Sequence, residues 1–93
     1  MLGLLPVDLK KVVPGKIDQE ILRLGIIAEL DAVNFYEQMA AMAKNGHIKK
    51  ILMDIAKEEK THAGEFQAML LKLDKQQAQE LKAGAKEVQK LTE

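Results

Sequence analysis

Asp54-Ile55-Ala56-Lys57-Glu58-Glu59-Lys60-Thr61-His62-Ala63-Gly64-Glu65-Phe66 is the stretch from which the rest of the chain is read. At about 100° per residue, a helix through it places Ile48, Ile51, Leu52, Ile55, Ala56, Ala63, Phe66, Met69, Leu70 and Leu73 on one apolar arc. Glu59 falls near the middle of that arc and His62 inside it. Lys49, Lys50, Asp54, Lys57, Glu58, Lys60, Thr61, Glu65 and Lys72 lie outside. An ionised carboxylate buried alone costs several kcal/mol, so Glu59 needs a counter-charge. Glu-x-x-His sets one oxygen donor and one nitrogen donor a turn apart on the same face. That is metal-ligand geometry.

The preceding helical stretch repeats the anomaly. Its apolar arc holds Ile21, Leu22, Leu24, Ile26, Ile27, Leu30, Ala32, Val33, Phe35, Tyr36, Met39 and Ala40, with Glu20, Arg23, Asp31, Asn34 and Gln38 on the wet side. Glu29 sits close to the centre of the arc, among Leu22, Gly25, Ile26, Val33 and Tyr36. Three candidate ligands, Glu29, Glu59 and His62, therefore face one apolar interior from two helices. The plain alternative for Glu59 and His62 is a buried interhelical ion pair, but that leaves Glu29 unexplained. No Lys or Arg shares the arc of Glu29 until the helix ends.

Composition narrows the class. Ninety-three residues make one small domain, 47% apolar but only 3% aromatic, rich in the strong helix formers. Formal net charge is zero, with no basic cluster of the kind that follows phosphates, which argues against nucleic acid. The lack of cysteine excludes disulfides and thiolate metal sites. No apolar run has the length of a membrane span. Met1 to Gly15 contains Asp8, Lys10 and Lys11 and no long apolar core, so the cytoplasm is the expected location.

In chain order, residues 1–16 hold both prolines and read as an irregular arm whose Leu2, Leu4, Leu5, Val7, Val12 and Val13 are expected to pack on another chain. Helix one is predicted over 17–44 with Asp18 as its cap. Asn45-Gly46 is read as a helix-end breaker that adopts positive φ, and so short a link turns helix two, 47–73, back antiparallel. Asp74 is placed to cap helix three, 75–91, with Gln77 three residues on. Met39, Met42, Met53 and Met69 are read as core filler, and His47 as a surface residue. The expected fold is all-α: an antiparallel hairpin plus a short C-terminal helix. Two broad apolar arcs cannot cover each other within one hairpin, so two hairpins are expected to pair into a four-helix bundle. A two-fold dimer would bring together four carboxylates and two imidazoles, the set used by ferritin-like di-iron proteins.

Glu29-Leu30-Asp31-Ala32-Val33-Asn34-Phe35-Tyr36-Glu37-Gln38 and Glu58-Glu59-Lys60-Thr61-His62-Ala63 carry a family resemblance. The chain resembles the encapsulated ferritins, short ferritin-like proteins that oxidise iron inside encapsulin nanocompartments. Archaeal members, whose ferritin-like domain is fused to the shell protein, are especially similar around Glu20 to Ala40 and Lys57 to Thr92. The resemblance implies a di-iron ferroxidase centre between two chains, with Glu29, Glu59 and His62 as ligands and Tyr36 beside them. It makes Asp31 a candidate for the path by which iron reaches the centre. It also implies O2 as oxidant, an encapsulin shell as partner, and an annular decamer of five dimers in which helix three and the arm serve assembly. Some relatives carry Trp where this chain has Phe35. Nothing after Leu91 resembles the cargo peptide of stand-alone members, which leaves the front domain of a fusion or a member without the tag.

Two rival functions are weighed beside the ferroxidase. One is a rubrerythrin-like di-iron oxidase or peroxidase, which an added rubredoxin-type cysteine site would favour. The other is a helical adaptor with a metal held for stability only. Tyr36 is equally a core residue with a satisfied hydroxyl, and Glu58 and Glu65 belong to the solvated face.

Overall fold

Asn45 turns the chain. Its side-chain oxygen accepts hydrogen bonds from the backbone N–H groups of His47 at 2.8 Å and Ile48 at 3.1 Å. Two donors that a helix start leaves orphaned are thereby satisfied. The structure, a computed structural model, describes residues 8–93, so Leu2, Leu4, Leu5 and Val7 of the arm lie outside it. Three helices follow one another: α1 (Ile17–Met42), α2 (Gly46–Leu73) and α3 (Lys75–Leu91), after a single 3-10 turn at Leu9–Lys11. The described residues contain no strand, and the fold is all-α.

Several local expectations are corrected. Gly46 is the first residue of α2 and does not adopt positive φ. Among the described residues only Gly15 does, at 85°. Asn45 itself is extended, at φ −81° and ψ 123°, because it caps the helix that follows instead of closing the one before. α1 stops two residues short of Lys44 because Ala43 turns to extended backbone, at ψ 134°. Asp18 is not the cap of α1. Lys16 holds that position without a side-chain cap, and Asp18 lies in the first turn, where its charge complements the helix dipole.

Contacts run in opposite order along the two long helices. Gln19 reaches Leu73, Gly25 faces Phe66, Glu29 meets His62 and Glu37 meets Lys60. α1 and α2 are therefore an antiparallel hairpin. Its seam is built from small residues: Ala40 and Ala56 are each 1% exposed, and Ala32, Val33, Ala63 and Leu70 are also buried. Small side chains let the helix backbones approach closely, which leaves the larger apolar groups on the flanks.

Those flanks are open. Ile21, Leu30, Ile48 and Ile51 are all more than half exposed. The methionines are open with them: Met42 is 80% exposed, and Met53 and Met69 about half, so no core within the single hairpin holds them. The physical reason is one missing layer. A hairpin is a single sheet of helices, and only its inner seam is covered. The radius of gyration, 16.5 Å, exceeds the about 12 Å expected of a compact domain this long.

α3 leaves through one residue. Asp74 ends α2 and begins α3 with φ −116° and ψ 91°. Its carboxylate accepts the N–H of Gln77 at 3.0 Å and an Nη2–H of Arg23 at 2.9 Å. The Gln19 amide adds a hydrogen bond to the Leu73 carbonyl at 3.2 Å. The first turns of α1 thus clasp the corner between α2 and α3. α3 packs on α2 and not on α1, and none of its residues is buried.

Candidate metal centre

Glu29 is carried at mid-length on α1, and Glu59 and His62 one turn apart on α2. Antiparallel register brings them to one level. His62 Nδ1 stands 3.6 Å from Glu29 Oε2 and 3.6 Å from Glu59 Oε2. One ligand atom from each residue lies within 4.8 Å of the others. Both carboxylate side chains are 19% exposed, and the imidazole 46%. The group sits at the edge of the seam, with His62 toward the open flank.

Glu29 Oε2 is buried and accepts no hydrogen bond. Its approach to His62 Nδ1 is beyond hydrogen-bond length. A buried carboxylate oxygen without a donor loses its hydration and gains nothing in return, a cost of about 1–3 kcal/mol or more. No hydrogen bond from the described residues relieves it. A cation would. Ligand bonds of about 2.1 Å place neighbouring donor atoms about 3–4 Å apart, and the 3.6 Å separations fit that spacing. Two oxygens and one nitrogen, with no sulfur, suit a first-row divalent ion such as Fe²⁺.

Two further sequence candidates, Tyr36 and Asp31, lie beyond Glu29 on α1. Tyr36 is half-buried two turns further along α1, about 10 Å up the axis. Its ring meets Phe35 edge-on, with centroids 5.4 Å apart at 68°. Asp31 is half-buried and lies two residues past Glu29, so it points to a different side of α1. Glu58 and Glu65 are exposed. The Lys60–Glu37 and Arg23–Asp74 ion pairs escaped the sequence reading. Nothing in a single chain tells which of many exposed charges will meet across helices.

The rubrerythrin family profile matches residues 20–93, the whole helical part of the chain bar the start of α1. This chain belongs to the rubrerythrin family. Its similarity to encapsulated ferritins holds at the level of structure. A crystal structure of the encapsulated ferritin domain from Pyrococcus furiosus superposes with a TM-score of 0.83 at 53% identity, covering 96% of this chain and 89% of that one. The chain is also 60% identical over 73 residues to a ferritin-like–encapsulin shell fusion protein of Pyrococcus furiosus. That match takes in 78% of this chain and 21% of the fusion protein. An encapsulin nanocompartment cargo protein, EncC, of Myxococcus xanthus is 35% identical over 85 residues, covering 87% of this chain and 65% of that protein. The chain thus spans about a fifth of the one relative and just under two thirds of the other.

Proposed function

We propose that two copies of this rubrerythrin-family chain pair their hairpins into a ferritin-like four-helix bundle and oxidise Fe²⁺ to Fe³⁺ at a centre shared between them, inside an encapsulin shell. The observation that supports it is the buried Glu29 Oε2, which accepts no hydrogen bond, facing Glu59 and His62 across the hairpin. One chain offers three ligands. The exposed apolar flanks beside them supply a surface for the second chain, and the pair would complete the ligand set of a di-iron carboxylate site.

Iron is the substrate. Two Fe²⁺ each give up one electron, and O2 takes both with two protons from solvent, leaving as hydrogen peroxide. Glu59 and His62 of one chain would hold each ion, and the Glu29 carboxylates would bridge them. Anionic oxygen ligands favour the ferric product, so they draw the reaction forward. Tyr36 is proposed to border the centre and Asp31 to line the path of Fe²⁺ toward it. Five dimers in a ring, joined through α3 and the arm, would leave the product open to water. Retention of mineral would then belong to the shell, in keeping with the names of the fusion and cargo relatives.

The test is oxygen uptake after anaerobic loading. Fe²⁺ should bind at one ion per chain, two per dimer, and should strengthen dimerisation, since ligands come from both subunits. Admitting O2 should then give fast oxidation. With a large excess of aerobic Fe²⁺, size-exclusion chromatography should show precipitation and only site-level iron with the protein. Identical association constants with and without iron would overturn the shared centre, and hundreds of iron atoms per oligomer would overturn the need for a shell. The rubrerythrin profile itself favours one second reading, a di-iron peroxidase. It predicts faster reoxidation of the loaded centre by peroxide than by O2.

A further inference from the structure

Gly25 lies one turn before Glu29 on α1, and Phe66 lies one turn after His62 on α2. In antiparallel helices these two residues form the layer next to the metal-binding layer. A Cβ built on Gly25 would meet Cγ, Cδ1 and Cδ2 of Phe66, each at 3.0 Å. Equal distances to three ring atoms mean that the ring lies over the glycine by its rigid root, and no flexible tip is available to swing aside. Gly64 and Gly84, also inside helices, would meet nothing within 4 Å. A glycine inside a helix costs backbone entropy relative to alanine. At Gly25 the missing side chain is replaced by an aromatic ring from the facing helix.

Ordinary carbon–carbon contact is about 3.5–4.0 Å. An added Cβ would therefore require the ring, or the helix that carries it, to give by a few tenths of an ångström, a shift of the order that matters to a ligand set. Ligand constellations tolerate about 0.5 Å. We infer that the Gly25–Phe66 layer is the spacer that sets how far Glu29 stands from His62, and through that distance the affinity of the centre for its metal. The inference rests on the reading of Glu29, Glu59 and His62 as a metal centre. Both residues are positioning residues: they act through the backbones of α1 and α2.

Spacing makes a prediction that loss of fold does not. Gly25→Ala adds volume to the layer, Phe66→Leu removes it, and the double variant restores the sum. Affinity for Co²⁺, followed by its visible absorption under anaerobic conditions, should fall about tenfold to a hundredfold in each single variant. It should return to within about threefold of the parent in Gly25→Ala/Phe66→Leu. Helicity and thermal midpoint are read alongside. A merely structural layer would shift the midpoint of Gly25→Ala and leave Co²⁺ affinity alone, which overturns the inference. So does a double variant as weak as the singles. If Gly25→Ala does not fold, Phe66→Leu with parental Co²⁺ affinity overturns it equally. His62→Ala separates the two readings. If it binds Co²⁺ as the parent does, the centre itself is wrong and the spacer falls with it. If it abolishes binding while Gly25→Ala and Phe66→Leu leave it unchanged, only the spacer is wrong.

Discussion

Asp74 and Glu29 are both carboxylates at a junction of helices, yet the chain treats them in opposite ways. Asp74, at the corner between α2 and α3, receives the Gln77 N–H and the Arg23 guanidinium. Those two hydrogen bonds, the backbone one first, hold its carboxyl below the usual carboxylate range. Glu29, in the seam between α1 and α2, has a buried oxygen with no donor. A charge whose partners the chain supplies is part of the scaffold. A carboxylate oxygen buried without one costs stability, and on the proposed function a cation from outside would offset that cost. The corner is built for shape, and the seam is where the proposed function places a ligand.

The largest expected effect breaks the comparison on the side of the seam. Glu29→Ala, Glu59→Ala and His62→Ala should each slow Fe²⁺-dependent oxygen uptake by roughly a hundredfold or more, since even outer partners of metal ligands are worth tens-fold. Glu58→Ala and Glu65→Ala have the same chemistry at the wrong helical phase and should leave the rate within about twofold. Equal losses in both sets would show that phase does not choose the ligands.

Next in size is the sign of stability changes in metal-free protein. Glu29→Leu removes an orphaned buried oxygen and should raise stability to urea by about 1 kcal/mol. Asp74→Ala removes an acceptor from two donors and should lower it. A loss of stability in metal-free Glu29→Leu would mean that the carboxylate has a structural partner after all.

A smaller effect is the acid limb. Because the carboxyl of Asp74 is lowered in the folded state, folding favours its ionised form. The stabilisation is complete above the ordinary carboxylate range, near pH 4, and is lost as pH falls through the lower folded value. Asp74→Asn should flatten the fall in thermal midpoint below about pH 4 and leave the curve above pH 5 parallel to the parent. Smallest of all, Gly84→Ala, with open space around it, should stabilise α3 by at most about 1 kcal/mol. Gly25→Ala should not show that gain.

How much of this was legible without coordinates follows from what periodicity can carry. The 3.6-residue repeat placed Glu29, Glu59 and His62 on apolar arcs, and the structure puts their ligand atoms in one group. Phase along a helix is local, so sequence suffices for it. Turn chemistry was read less well. Asn45-Gly46 was visible as a break, but whether Asn45 closes one helix or caps the next depends on φ and ψ that two residues do not reveal. For the methionines the single chain decides less. An apolar arc says that a residue wants cover, not that its own chain provides it, and Met42, Met53 and Met69 stand open.

The sequence by itself determined three helices, their polar and apolar faces, and the identity of the groups that could bind a metal. All of these depend on residues a few positions apart on one rigid repeat. Only the tertiary structure decided which level of α1 meets which level of α2. The 3.6 Å approaches of His62 to Glu29 and Glu59, the donorless oxygen of Glu29, and the ring of Phe66 over Gly25 all follow from that register. Register is set by how small side chains such as Ala32, Ala40, Ala56 and Ala63 interlock across the seam. That is a sum of many weak contacts between distant positions, and no pattern within one helix encodes it.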